Sequence, residues 1–68
     1  MPSDHERFNA LITHPHVGSV YLIDCHITED GKTVIGNAEA DRMFGHPIYE
    51  TMNFPVGCIR RKDPYRGR

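Results

Sequence analysis

The chain has 68 residues, 38% of them hydrophobic and 25% charged, with a net charge of −1 and two cysteines. This length excludes more than one domain and a large core, because so short a chain buries only about 60% of the surface it exposes when unfolded. Two cysteines exclude a disulfide-dense scaffold, and no apolar run approaches the roughly 20 residues of a membrane span.

Residues 1–14 are polar and charged, so no signal peptide is read there and the expected compartment is the cytoplasm. Ser3-Asp4-His5-Glu6 has the form of a capping box, in which Ser3 and Glu6 satisfy each other's backbone N–H. It predicts a helix over about 4–13, with Phe8, Leu11 and Ile12 as its apolar stripe. His14-Pro15-His16 ends that helix, since the residue before a proline avoids the α region. A hairpin is expected over about 17–36. Its first strand is rich in β-formers (Val20, Tyr21, Leu22 and Ile23), and strict alternation puts Tyr21, Ile23, Cys25 and Ile27 on one face. Asp30-Gly31 makes the turn, because glycine accepts positive φ.

Asn37 suits the N-cap of a short helix over about 38–45, with Ala40, Met43 and Phe44 turned inward. Gly45 fits the left-handed position after its last turn, and Pro47 stops it. A third strand over about 52–59 contains Pro55 and so belongs at an edge. The expected fold is therefore α+β, a small antiparallel sheet packed with two helices. Residues 1–59 form the domain and 60–68 a flexible basic tail.

Charge follows the same division. Residues 1–59 hold three basic residues against eight acidic ones, about −5, while 60–68 hold five basic and one acidic, +4. An acidic body with a basic tail suggests an interaction tail. Arg60, Arg61, Lys62, Tyr65 and Arg66 are its candidate contacts, with an acidic protein surface as the preferred target. Nucleic acid is disfavoured by the acidic body and a pI near 6.5.

The predicted order of helix, strand, Asp-Gly turn, strand and Asn-capped helix resembles the first half of a PAS domain. The residues that carry the likeness are Glu6 to Ile12, Val20 to Asp24, Asp30 to Ile35 and Asn37 to Gly45. Asp63-Pro64-Tyr65-Arg66 adds a looser match. The resemblance covers about residues 6–57 and implies a sensor or interaction module. It departs where the family's three-stranded meander should follow, since residues 58–68 cannot supply three strands. A two-stranded hairpin is marginal alone, so the half-module implies completion by a twin or a partner.

Chemistry is sparse. The five histidines have no C-x2-C or H-x3-H spacing, so a zinc site built from His14, His16, Cys25 and Cys58 is disfavoured. Cys25 and His26 are adjacent and would point to opposite faces of a strand, so they do not make a nucleophile–base pair. Free thiols fit the cysteine usage better than a Cys25–Cys58 bridge, which stays open. No nucleophile elbow or phosphate loop occurs, so no catalytic residue, metal or cofactor is assigned. Met43, Phe44, Tyr49, Met52 and Phe54 concentrate apolar surface in the second half. They read as core, or as an interface if left uncovered, with Met52 and Phe54 the candidate contacts on an open sheet edge.

The reading is a non-enzymatic protein-binding module that pairs with itself as a homodimer or with another protein. The alternative is a small inhibitor, of the kind phages and mobile elements encode, that blocks a larger host complex. A ligand or metal sensor ranks third. A dimer in solution favours the first, and a monomer that captures one large assembly favours the second.

Overall fold

The structure is a computed structural model, and it describes residues 6–65. The described residues form five strands: β1 (Phe8–His14), β2 (Gly18–Ile27), β3 (Thr33–Met43), β4 (His46–Pro55) and β5 (Ile59–Pro64). A single 3-10 turn, Val56–Cys58, joins β4 to β5. The strands make one antiparallel sheet in the order β4-β3-β2-β1-β5. The expected α+β class is overturned, because neither helix is present among the described residues.

The first correction is β1. Phe8, Leu11 and Ile12 suggested a helical period, but Phe8, Ala10 and Ile12 also alternate, and all three are buried. Alternation prevails because β1 lies between β2 and β5 and pairs with both. A short helix with three apolar residues is marginal in water, whereas a central strand satisfies its backbone on two sides. The capping box at residues 3–6 falls largely outside the described residues.

The second correction is the 38–45 helix, which is the continuation of β3 and its turn into β4. Asn37 caps no helix. Its side-chain carbonyl accepts a hydrogen bond from Thr51 Oγ1 on β4 at 3.0 Å. Gly45 does adopt positive φ, +80°, but as the second residue of a hairpin turn and not after a helix. The third strand also moves. Residues 52–59 span the end of β4, the 3-10 turn and the first residue of β5. Residues 60–64, expected in the flexible tail, instead form β5 together with Ile59, paired against β1.

The 17–36 hairpin is present as β2 and β3, with Gly31 at φ +74° in its turn. Asp30 organises that turn, accepting from Thr28 Oγ1 at 2.6 Å and from the Lys32 N–H at 3.0 Å. These bonds to its charged form hold the Asp30 carboxyl below its usual pKa. Strict alternation fails within β2. Ala10 pairs Leu22 and Phe8 pairs Cys25, so β2 carries one residue more than β1 there. The β3 partner shows the same excess between Ile23 and His26. The extra residue is Asp24, at φ +56°. This bulge flips the face, and Cys25 joins Leu22 in the core.

The bulge helps the sheet curl, and the connection requires it. In a flat sheet β4 and β5 would lie about 19 Å apart, four strand spacings. A 3-10 turn advances only about 2 Å per residue, so Val56–Cys58 bridges the two edges only if the sheet rolls. The Val56 N–H donating to the Lys32 carbonyl at 3.0 Å holds this crossing. The rolled face encloses Phe8, Ala10, Ile12, Leu22, Cys25, Val34, Ala38 and Phe54, with no buried polar residue among those described. Gly36 permits the tightest approach. A Cβ there would meet Cys25 Sγ at 2.5 Å and Leu22 Cβ at 2.9 Å. No helix among the described residues is long and apolar enough to cross a membrane.

Candidate partner-binding site

The core ends before the β3–β4 hairpin does. Beyond Ala38, β3 is exposed through Met43, and β4 is exposed from His46 to Thr51 apart from half-buried Pro47. Met43 lies five residue steps beyond Ala38, so the hairpin projects about 17 Å along the strand direction. Its register is Glu39 with Tyr49, Asp41 with Ile48, Arg42 with Pro47 and Met43 with His46. A bulge falls between Glu39 and Asp41.

Phe44 and Gly45 form the tip, at φ +53° and +80°. Positive φ at both central residues marks a type I′ turn, the two-residue connection that matches strand twist. Asparagine or glycine normally takes the first position, because a Cβ there crowds the following carbonyl. Phenylalanine gains nothing local to offset that strain, since its side chain is 92% exposed. Met43, Ile48 and Tyr49 are exposed beside it. Four of the seven exposed large hydrophobic residues among those described thus lie on this one hairpin.

Charge around the tip is acidic. Arg42 is turned back on its own hairpin, 3.8 Å from Glu39 and donating to the Gly45 carbonyl at 3.4 Å. Asp41 and Glu50 remain without an ion pair among the described residues.

The residues expected to bind a partner are scattered. Phe54 is buried in the core and its ring lies tilted against His14 at 5.6 Å between centroids, so it is no surface contact. Met52 is half-buried against the core. Arg60, Arg61 and Lys62 are exposed on β5. Arg61 is held by Asp63 at 3.1 Å, and the Lys62 ammonium lies 4.9 Å from the centroid of the Phe8 ring. Tyr65 is exposed, and Arg66 lies outside the described residues. Sequence reasoning missed the hairpin tip, having turned Met43 and Phe44 inward on a helix. The signal that could have found it is Phe-Gly midway between two equal extended arms.

The outer face of the sheet is polar and cross-linked. Arg7 is hydrogen-bonded and ion-paired to Asp24, which raises the Arg7 pKa. Tyr21 Oη donates to Asp63 at 2.6 Å, and this bond to the neutral phenol raises the Tyr21 pKa. The Asp24 N–H donates to Asn9 Oδ1 at 3.1 Å, which pins the bulge. A shallow groove of mixed character lies beside it, bordered by Arg7, Asp24, His26, Ile35, Asn37 and Thr51.

No metal-binding group of three or more His, Cys, Asp or Glu residues occurs among those described. His14 uses Nδ1 to accept from the His16 and Val17 N–H groups, at 3.1 and 3.3 Å. Cys25 and Cys58 are both free thiols. No family model, curated protein or solved structure in the comparisons matches this chain.

Proposed function

We propose that the chain is a non-enzymatic protein-binding module whose contact element is the β3–β4 hairpin tip. The observation that carries this reading is Phe44, a large aromatic residue fully presented to solvent on a backbone conformation that disfavours it. A strained, exposed aromatic has a cost in the free molecule and no local return. Aromatic anchors are the residues that dominate binding energy at protein interfaces. The partner surface is an apolar socket with basic character at its rim, matching Asp41 and Glu50. The free sheet edges are poor places to pair another strand, since prolines stand at 47 and 55 on β4 and at 64 on β5, beside three cations.

A protruding anchor on a compact body also fits an inhibitor that plugs a pocket of a larger host complex. The two readings share the same tip and differ in the partner's identity.

Substituting Phe44→Asn tests the role of the tip. Asparagine suits the first position of the turn, so the variant should be more stable by about 1 kcal/mol, raising Tm by about 4–8 °C. It should also lose partner binding at the tip. A photo-cross-linking phenylalanine analogue placed at 44 should give discrete adducts in a lysate of cells making the protein, and the same analogue at Val17 should not. Equal labelling from 17 and 44, or none from 44, would reject the tip as the contact.

A further inference from the structure

We propose that the socket for the tip lies on a second copy of this chain, in the groove between β1 and β5. The inference rests on the tip being the contact element. The groove is lined by Glu6, Arg7, Phe8, Lys62, Asp63 and Pro64. Phe8 and Pro64 are direct neighbours across the β1–β5 pair and give it an apolar floor. Lys62 extends over the Phe8 ring, its ammonium 4.9 Å from the centroid. A second aromatic ring on the other side of that ammonium would extend the cation–π contact.

Once internal pairs are removed, the groove keeps one charge of each sign, Lys62 over the Phe8 ring and Glu6 at the rim, so the match to the tip is local to Lys62. Arg7 is taken by Asp24, while Asp63 is engaged by Arg61 and by Tyr21. Glu6 is exposed at the rim. Lys62 has no ion pair among the described residues, and neither does Asp41, three residues before Phe44. The tip therefore offers an apolar ring beside a carboxylate, and the groove offers an apolar floor beside an ammonium.

A chain cannot fill its own groove with a tip that is 92% exposed. The tip belongs to β3–β4 and the groove to β1–β5. Association is therefore between copies. A two-fold arrangement lets each copy insert its tip and receive its partner's, so the contact is made twice and closes at a dimer.

Sedimentation across a concentration series tests this. The wild-type mass should rise from the 7.8 kDa of one chain to twice that value. Phe44→Asn, Asp41→Lys and Lys62→Glu should each weaken association at least tenfold, while circular dichroism confirms an unchanged fold. The Asp41→Lys/Lys62→Glu double variant should recover it, because the pair is rebuilt with its signs exchanged. Lys62→Ala, which adds no charge, should show the intermediate loss. A strictly monomeric wild type overturns the inference. So do association that ignores Phe44→Asn, a double variant no tighter than the single ones, and growth beyond the dimer. A monomer whose residue-44 cross-linker captures another protein defeats self-docking and leaves the tip reading standing. Loss of both signals defeats both.

Discussion

Cys25 shows how one residue reports the packing around it. Its thiol is completely buried against Leu22 and the bare Cα of Gly36. Burial disfavours the thiolate and pushes its pKa from 9.0 to about 11, with the Asp24 charge adding to the effect. The thiolate is the nucleophile, so native protein should alkylate at half-buried Cys58 first and at Cys25 only on unfolding. Mass spectrometry after a brief iodoacetamide pulse should find one label in buffer and two in denaturant. Equal labelling of both in buffer would contradict the burial. The same shift has a pH consequence. The folded pKa lies above the unfolded one, so stability from this group is complete below about pH 9 and is lost as pH rises toward 11. The full loss is on the order of 2–3 kcal/mol, readable from urea midpoints at pH 8 and pH 10.5. A constant midpoint across that range would count against a buried, neutral Cys25.

At the scale of elements, the strands differ in how far each is tied into the sheet. β1 pairs on both sides and supplies three buried residues, whereas β4 has one free edge and a stalk that leaves the core. Amides with few buried contacts open locally, and those in the central sheet open only with global unfolding. Hydrogen exchange by NMR should therefore find paired β1 amides among the slowest and outward β4 amides between His46 and Glu50 among the fastest. Uniform protection of both would mean the stalk is covered in solution. These differences were only partly legible in the sequence. Asp30-Gly31 declared its turn, because a positive φ next to a side chain that hydrogen-bonds its own turn has few other uses. Phe8, Leu11 and Ile12 misled, since one seven-residue stretch satisfies both a helical and an alternating period. Only the strands on either side of β1 decide between them. The bulge at Asp24 was hidden for another reason: aspartate in a β-rich run gives no sign that the face changes after it. The candidate site was misplaced by the same choice. A helix over Ala38 to Gly45 turns Phe44 inward and hides a tip at the end of two strands.

The whole molecule rests on a small reserve. Eight hydrophobic residues are buried among those described, and no disulfide closes the fold. A chain below about 70 residues rarely gains more than about 3–5 kcal/mol from such a core. Leu22 sits near its centre, fully buried on β2 opposite Ala10 and within reach of Gly36. Removing its branched end should cost about 2–5 kcal/mol, comparable to the whole reserve. Leu22→Ala should therefore populate the unfolded state substantially at 25 °C, with lost amide dispersion in an NMR spectrum. Ile12→Val, at about 0.5–1.5 kcal/mol, should stay folded with a lower urea midpoint. If Leu22→Ala kept a full cooperative transition, another source of stability would be required. Association supplies one with a distinct signature. A ligand that binds only the folded state raises Tm with concentration, and a second copy is such a ligand. Tm of the wild type should then climb with protein concentration while that of Phe44→Asn stays level. The tip would thereby link the strain held in one residue to the stability of the whole fold.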